Sequence, residues 1–374
     1  MPRKINIWGR TSSAQLLICL AIGLAGCLAI YNATFHVAEP FHFVSRQLVW
    51  LSLSIAVLFI CSRIPPTSYE KWTYPLAGLV IVTLYLLLFF EADVNGVQRG
   101  IRIDTKVFDV LYIQPAEIGK PIFVLFLAKA LTTPYRLSRI GFLGFARYFI
   151  PSLAWVVPIL LNSNFSSFLV YVVTFSVMFW LQGAKFIHVL LLLVVWCSLL
   201  TVEIRSEPAA KSRFVDYFGF TAGESDTGVH SRQLKTVLAS GGLWGRQPEQ
   251  TFWSRHYLPL GYSDSAFATL GETIGFMGAV PIVLGIVLWF FCCIFVARKR
   301  KYPRDAMIIS GISTMIVAQA YIHISVTLGI FPPVGMPLPM FSYGGSSLVS
   351  TMASIGIILS LVNKRRKDVE IVDQ

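Results

Sequence analysis

Residues 331–347 read FPPVGMPLPMFSYGGSS and decide the fold of this chain. The stretch is apolar, but Pro332 and Pro333 open it and further prolines follow at 337 and 339, so it cannot form an uninterrupted membrane helix. Hydrocarbon cannot satisfy the amide and carbonyl groups that irregular backbone leaves free. We therefore expect the stretch to face protein, lipid headgroups or a wet cavity, where a polar substrate could also sit.

The composition places the chain among polytopic membrane proteins. Hydrophobic residues make up 55% of its 374 residues and charged residues only 13%. Apolar runs of about 20 residues predict an all-α protein of about ten transmembrane helices within a single membrane domain, residues 1–374. The predicted spans are 14–33, 46–62, 73–90, 115–131, 147–162, 165–183, 186–202, 277–297, 306–328 and 343–363.

The distribution of lysine and arginine predicts the orientation in the membrane. Nineteen of these residues fall in the amino-terminal tail and in the segments after even-numbered spans, whereas four fall in the short loops opposite, namely Arg46, Arg99, Arg102 and Lys106. Positive residues concentrate on the cytoplasmic side, so both termini are expected to be cytoplasmic. The net charge of +12 is then mostly a topology signal. Nucleic-acid binding is not indicated, because the charges are spread over loop ends without an aromatic binding surface.

Two external regions are longer than ordinary connections, residues 91–114 and the large loop 203–263. Within the large loop, residues 231–240 alternate polar and apolar side chains with a helical period. This pattern predicts a short amphipathic helix that ends at Gly241 and Gly242. The architecture predicted is a membrane domain with a structured external cap.

Acidic residues at membrane depth are few, and each is costly unless it is paired or hydrated. Glu117 and Lys120, in QPAEIGK, are three residues apart and share a helix face. They either neutralise each other and fix the packing, or bind an anionic substrate. Asp264 and Glu272 follow the large loop in YSDSAFATLGETIG. Asp264 has no basic neighbour in sequence and is the better functional candidate, while Glu272 fits a supporting group or a buried neutral acid.

Other polar residues give weaker signals. Arg99 and Arg102 are suited to phosphate, because a guanidinium can contact two oxygens, although loop arginines are more often solvated. His323 lies one turn after Gln319 in the ninth span, where packing and a hydrogen bond between helices are the expected roles. The histidines show no metal-ligand spacing, and there is no Walker, Rossmann or serine-hydrolase motif.

Three motifs carry a resemblance to a known family. GMPLPMFSYGGSS, IQPAEIGK and SDSAFATLGETIG resemble signature blocks of the shape, elongation, division and sporulation family, and the similarity runs from the first span to Lys364. The RIPPTSYEKW stretch and the modest length favour the RodA branch slightly over the FtsW branch. Membership implies a peptidoglycan glycosyltransferase that polymerises lipid II at the outer face of the bacterial inner membrane, for elongation or division, together with a class B penicillin-binding protein.

The resemblance also implies roles for individual residues. Asp264 takes the place of the family's catalytic aspartate, and Glu117, Lys120 and Arg99 match residues of its conserved loops and spans. With the residues selected above and two of the SYGGSS motif, the candidate substrate-binding set is Arg99, Arg102, Glu117, Lys120, Glu272, Tyr343 and Ser346. The chain departs from the family pattern at Gln98, Asn164, Tyr262, Thr273 and His323, the last replacing an asparagine.

The family chemistry is compatible with these residue types. Lipid II carries its sugar on undecaprenyl pyrophosphate, so polymerisation needs a lipid groove, positive groups near two phosphates, and a base for the incoming 4-hydroxyl. Arg99, Arg102 and Lys120 suit the phosphates, and Asp264 suits the base. A divalent cation, Mg²⁺ or Mn²⁺, could share the neutralisation, but the sequence contains no dedicated metal site. The alternatives are a flippase for the same lipid precursor, since broken helices and intramembrane charges are typical of transporters, and a silent scaffold for a penicillin-binding protein.

Overall fold

The described part of the chain is a bundle of membrane helices with a small β-hairpin. The computed structural model describes residues 7–34, 40–90, 99–105, 109–132, 142–206, 211, 214–215, 217, 226–247, 251, 258 and 263–372. The helices are α1 Ile7–Thr34, α2 Pro40–Arg63, α3 Pro66–Leu86, α4 Pro115–Leu131, α5 Phe142–Leu161, α6 Phe165–Leu181, α7 Phe186–Ser206, α8 Asp226–Ser240, α9 Ala266–Arg298, α10 Pro303–Thr327 and α11 Gly345–Val372. A 3₁₀ turn, Leu87–Phe89, follows α3.

The prediction of a polytopic helical protein is confirmed. Each predicted span overlaps one of these helices. Within the part of the chain that the structure describes, seven helices are long and apolar enough to cross a membrane, namely α1, α2, α3, α7, α9, α10 and α11, while α5 and α6 contain shorter apolar stretches. The total of ten spans and the cytoplasmic location of both termini stay predictions.

Two helices form the centre of the bundle. Most of α10 and α11 is buried inside the protein, whereas α2, α3 and α7 turn most of their surface outward. α10 contacts α4, α6, α9 and α11, and α11 also packs along α2. Because the 331–344 segment connects these two central helices, its backbone enters the interior of the bundle.

Several helix starts follow directly from the sequence. α3, α4 and α10 each begin with proline, whose missing N–H costs nothing at this position. α6 begins after Asn164, and the side chain of Asn164 accepts a hydrogen bond from the amide of Ser167 at 3.3 Å. An asparagine cap stabilises a helix start about as well as an aspartate. The departure from the family pattern at Asn164 therefore preserves a helix cap.

The eighth predicted span, 277–297, matches the part of α9 that follows a break. α9 runs from Ala266 to Arg298, and a non-helical residue, Gly275, separates its two helical parts. The first part contains polar residues, so hydropathy alone does not extend the span to it. This part packs against the end of α8.

The external regions contain the remaining described elements. Strands β1 Ile101–Thr105 and β2 Asp109–Ile113 form an antiparallel hairpin, which the sequence indicated only as a long external connection. The amphipathic helix predicted for the large loop is confirmed as α8, and it ends at Gly241 as expected. The stretch 91–98, with Gln98, and the stretch 259–262, with Tyr262, lie outside the described residues.

Candidate active site at the unwound segment

The unwound segment, residues 331–344, joins α10 to α11 without forming a helix, as its prolines predict. Five of its apolar side chains are buried: Val334, Met336, Leu338, Met340 and Phe341. The segment ends in a tight turn, in which the amide of Leu338 donates to Oγ of Ser342 at 2.8 Å and Met340 adopts a φ of 65°. The sequence left three surroundings open for this irregular backbone: protein, lipid headgroups or a wet cavity. The five buried side chains are enclosed by protein.

Two buried side chains of α10 hold the backbone of the unwound segment. Nε2 of Gln319 donates to the carbonyl oxygen of Pro337 at 2.9 Å. Nδ1 of His323 lies 2.6 Å from the carbonyl oxygen of Met336. The carbonyls of irregular backbone need such partners in a membrane protein. Gln319 also makes the hydrogen bonds between helices that the sequence predicted, because it accepts from Nζ of Lys120 in α4 and donates to Oγ of Ser347 in α11. The side chain of His323 bonds the unwound segment instead.

Close backbone packing holds the other side of the segment. Gly26 of α1 lies against the carbonyl group of Phe341, and Gly345 at the start of α11 lies against the indole ring of Trp50. A β-carbon at either glycine would collide with these atoms. Glycine is therefore required by packing at both positions, because only the absence of a side chain permits this approach.

Glu117 and Lys120 form a buried ion pair at the start of α4. Nζ of Lys120 lies 2.5 Å from Oε1 of Glu117, and the two residues are only 3% and 5% exposed. Nζ of Lys120 also donates to Oε1 of Gln319 at 2.7 Å. The ion pair thus connects to the unwound segment through Gln319. Of the two roles left open by the sequence, neutralisation with a packing function is the one that this geometry supports directly.

The backbone of Glu117 has a second link to α11. Pro121 has no N–H, so the carbonyl of Glu117 lacks its usual partner four residues along the helix. Oγ of Ser350 donates to this carbonyl at 2.6 Å. The proline in α4 therefore creates an acceptor, and a serine of α11 satisfies it across the helix interface.

Asp264 lies immediately before α9 and beside the unwound segment. Its side chain is half-buried, and a β-carbon placed on Gly335 would lie only 2.7 Å from its Oδ2. The carboxylate therefore lies close to the backbone of the segment at Gly335. The structure brings together two of the motifs selected from the sequence, although about seventy residues separate them in the chain.

Glu272 lies at the break in α9. Gly275 has φ 65° and ψ −170°, which interrupts the helical hydrogen bonds around it. The turn after α8, residues 241–246, supplies the missing partners: the carbonyls of Gly242 and Leu243 accept from the amides of Phe276 and Met277, both at 3.0 Å. Glu272 itself is 0% exposed. Its burial leaves no exposed surface for a substrate contact in this structure, and its role as a supporting group or a neutral acid stays a prediction.

The hairpin carries the two arginines selected from the sequence. Arg102 is exposed and pairs with Tyr112 in the strand register. Arg99 precedes β1, and its Nε is buried without a hydrogen-bond partner among the described residues. Oγ of Ser346 donates to the carbonyl of Tyr112 at 2.9 Å and so joins the hairpin to the start of α11. The hairpin is thereby fixed beside the unwound segment.

Tyr343, in the same SYGGSS motif, is half-buried and lies edge-on to Phe43 of α2 with 6.1 Å between ring centroids.

An apolar cavity of about 470 Å³ lies next to the break in α9. Its lining includes Leu238, Gly242, Gly275, Phe276, Leu284 and Leu328. Phe276, Leu284 and Leu328 are exposed on the outer surface of the bundle, so the cavity is bordered by apolar side chains suited to a lipid chain.

Within the described residues, no group of three or more His, Cys, Asp or Glu residues is arranged to hold a metal ion. A divalent cation, Mg²⁺ or Mn²⁺, that shares the neutralisation of the substrate phosphates stays a prediction.

Sequence reasoning missed the turn at residues 241–246 and the break that it satisfies. The only sequence signal for either is glycine: Gly241, Gly242 and Gly245 in the turn, and Gly275 in the helix. Three of these four, Gly242, Gly245 and Gly275, have positive φ. Isolated glycines in an apolar helical pattern mark close backbone approach as often as flexibility, so the pairing could not be assigned from sequence.

The comparisons with known proteins agree with this geometry. A family described as "Cell cycle protein", which covers FtsW, RodA and SpoVE, matches residues 12–367. The chain is 26% identical over 387 residues to the probable peptidoglycan glycosyltransferase FtsW of Haemophilus influenzae, covering 98% of this chain and 95% of the relative. It is 28% identical over 367 residues to stage V sporulation protein E of Bacillus subtilis, covering 94% and 97% of the two chains.

Solved structures share the fold. A chain of a peptidoglycan synthase complex, described as coordinating polymerization and crosslinking, superposes with a TM-score of 0.79 at 24% identity and covers 95% of this chain and 98% of its own. The rod shape determining protein RodA of Thermus thermophilus superposes with a TM-score of 0.69 at 24% identity, covering 94% and 96%. Because relatives of the different branches match, the preference for the RodA branch stays a prediction. The family match spans nearly the whole chain, and the protein belongs to the FtsW, RodA and SpoVE family of cell cycle proteins, the shape, elongation, division and sporulation family.

Proposed function

We propose that this protein is a peptidoglycan glycosyltransferase that polymerises lipid II at the outer face of the bacterial cytoplasmic membrane. The observation that carries the proposal is the position of Asp264, a half-buried carboxylate packed against Gly335 of the unwound segment. The names of the relatives, peptidoglycan glycosyltransferase among them, support the same reaction.

The location of Asp264 favours the outer face. α9 ends at Arg298, followed by Lys299, Arg300 and Lys301. A cluster of this kind is typical of the cytoplasmic side. Asp264 precedes the other end of the same helix, directly after the large loop that the sequence predicts to be external. The base and the sugar of a flipped lipid precursor would then lie on the same side of the membrane.

In the reaction, Asp264 accepts the proton of the attacking 4-hydroxyl. At the same time the oxygen of that hydroxyl forms a bond to the anomeric carbon of the second sugar. The bond from that carbon to the pyrophosphate oxygen breaks, and undecaprenyl pyrophosphate leaves with the bonding electrons. Arg99 and Arg102, near the start of the hairpin, are the candidates to stabilise the charge that develops on the phosphates. The leaving pyrophosphate supplies the driving force, so no nucleotide is needed.

Glu117 and Lys120 are assigned an indirect role in this scheme. Both are buried and paired, and Lys120 reaches the unwound segment through Gln319. A direct contact with lipid II would require the pair to separate, which leaves a charge in a medium that solvates it poorly. We therefore assign the pair to holding the segment in place, and the substrate contacts to Arg99, Arg102, Tyr343 and Ser346.

A flippase for the same lipid precursor is the alternative. The break in α9 and the unwound segment are features that transporters also use. A flippase needs charged groups that are reachable from both sides of the membrane. Asp264 lies against Gly335 in the segment that precedes α11, and the hairpin is bonded to Ser346 at the start of α11, so both adjoin the same end of that helix, which favours the enzyme.

The proposed partner is a class B penicillin-binding protein. The structural relative with the higher TM-score belongs to a peptidoglycan synthase complex that couples polymerization with crosslinking. A transpeptidase beside this protein would crosslink the glycan strand as it emerges. For this reason the functional assay should include the cognate transpeptidase.

The test is polymerisation of labelled lipid II by the purified protein with that transpeptidase. Asp264→Asn removes the charge but keeps the shape, and we expect it to retain folding and lipid II binding while losing roughly 10²–10⁴-fold in rate. Asp305→Asn is the matched control, because Asp305 is also half-buried but lies in the first turn of α10. Equal polymerisation by wild type and Asp264→Asn would remove Asp264 as the base. Lipid transport without polymerisation by wild type would favour the flippase.

A further inference from the structure

His323 is buried in α10, and its imidazole ring is hydrogen-bonded to the unwound segment. The residue is 2% exposed, and its Nδ1 lies 2.6 Å from the carbonyl oxygen of Met336. A carbonyl oxygen only accepts hydrogen bonds, so the ring must carry its proton on Nδ1. Nε2 is then an acceptor, and it has no partner among the described residues. The imidazole therefore acts on the protein through Nδ1.

The bonded carbonyl belongs to the residue next to Gly335. A β-carbon on Gly335 would lie 2.7 Å from Oδ2 of Asp264, so the glycine backbone forms one wall of the space around this carboxylate. The following carbonyl, of Pro337, is held by Gln319 at 2.9 Å. Two successive carbonyls of the segment are thus fixed to α10, immediately after the residue that Asp264 contacts.

We propose that His323 is a positioning residue for Asp264. The Nδ1–H of His323 fixes the Met336 carbonyl and, through it, the backbone of Gly335. This backbone limits where the Asp264 carboxylate can lie, and so keeps the carboxylate within reach of the 4-hydroxyl whose proton it accepts. This inference rests on the proposed function, because it takes Asp264 to be the base. A displacement of about 1 Å at a reacting group can cost roughly 10²-fold in rate, so the bond is placed to matter for catalysis.

An asparagine side chain could supply the same hydrogen bond as His323, because its amide group can also donate to a carbonyl. What the two side chains share is a donor on a short, planar group. The positioning role therefore predicts that catalysis needs a hydrogen-bond donor at position 323 but does not need an imidazole ring.

Two variants separate these features. His323→Asn retains a hydrogen-bond donor. His323→Leu introduces an apolar side chain of similar bulk and removes the donor. With wild type, these variants are compared in lipid II polymerisation with the cognate transpeptidase, measuring kcat, KM and the acid limb of the pH profile. We expect His323→Asn to stay within about threefold of wild type. We expect His323→Leu to lose roughly 10- to 100-fold in kcat at nearly unchanged KM, with the acid limb displaced by about half a pH unit or more.

A role in folding alone would give a different result. His323→Leu would then yield less folded protein, but the folded fraction would turn over with the wild-type kcat and pH profile, and this outcome overturns the inference. If His323→Leu does not fold, Gly335→Ala decides, because it leaves His323 bonded and pushes a methyl group toward Asp264. Unchanged kcat and pH profile in Gly335→Ala overturn the inference as well.

The proposed function fails separately. Wild-type protein that binds lipid II but makes no glycan in the presence of the transpeptidase contradicts the enzyme assignment, and the positioning role falls with it. Active wild type with active His323→Leu contradicts the positioning role alone and leaves Asp264 as the base.

Discussion

The amide of Arg246 donates a hydrogen bond to the carbonyl oxygen of Glu272 at 2.8 Å, which joins the external turn to the first half of α9. On the other side of the break at Gly275, the same turn accepts hydrogen bonds from the amides of Phe276 and Met277. A helix broken near lipid leaves amide and carbonyl groups that must find partners in the protein. The external loop therefore completes α9, and the helix preceded by Asp264 depends on the loop for its shape.

This relationship predicts a difference between two glycines of the turn. Gly242 and Gly245 both have positive φ, at 57° and 80°, so alanine is strained at either position. No atom lies within 4 Å of a β-carbon at Gly242, whereas a β-carbon at Gly245 would collide with the backbone of Thr273. Gly245→Ala should therefore destabilise the protein by about 1–3 kcal/mol more than Gly242→Ala.

Thermal unfolding of the purified variants in one detergent measures the difference. Gly242→Ala is the control for the strain of positive φ alone. Equal melting temperatures for the two variants would mean that the turn does not pack into the break. Lipid II polymerisation should fall more in Gly245→Ala than in Gly242→Ala, because the distorted turn displaces the part of α9 next to Asp264.

The sequence predicted the membrane bundle and the unwound segment for local reasons. Apolar runs identify spans because hydrocarbon demands them, and four prolines within residues 331–347 exclude a helix by their own geometry. The Glu117–Lys120 pair was also predictable, because residues three apart share a helix face. Each of these features is decided within a few residues of chain.

The remaining features of the site depend on contacts between distant segments. Gly335 accommodates Asp264, and Gln319 bonds Pro337, only after α9, α10 and the unwound segment have packed together. The break at Gly275 is likewise stable only because residues 241–246 reach it. No periodicity encodes such pairings, and the sequence therefore offered glycines and polar residues without their partners.

A second prediction concerns two serines of α11. Ser350 and Ser354 are both buried and lie one helical turn apart. Oγ of Ser350 donates to the Glu117 carbonyl that Pro121 leaves without a helical partner, whereas Oγ of Ser354 donates back to the carbonyl of Ser350 in its own helix. Ser350→Ala should cost about 1–3 kcal/mol, because it leaves a buried acceptor unsatisfied. Ser354→Ala should cost less than about 1 kcal/mol, because the carbonyl it leaves is already engaged in the helix.

Denaturation midpoints of the two alanine variants in the same detergent check this prediction. Ser350→Thr offers a further comparison, since threonine retains the hydroxyl at the price of one extra methyl group. If Ser350→Ala proves no less stable than Ser354→Ala, the Glu117 carbonyl must have another partner, and the link between α4 and α11 through Ser350 would be unimportant.

The last prediction concerns the buried ion pair. Lys120→Met alone leaves the carboxylate of Glu117 enclosed without its cation, and removing one member of a buried pair typically costs about 3–5 kcal/mol. Lys120→Met combined with Glu117→Gln removes both charges and should recover most of that stability.

Both variants lose the bond from Lys120 to Gln319, so polymerisation should remain below wild type even in the stable double variant if that bond helps to fix the unwound segment. Melting temperature and glycan synthesis are measured on the same preparations. A single variant as stable and active as wild type would contradict both the packing role and the link to the segment, whereas a double variant with full activity would leave only the packing role.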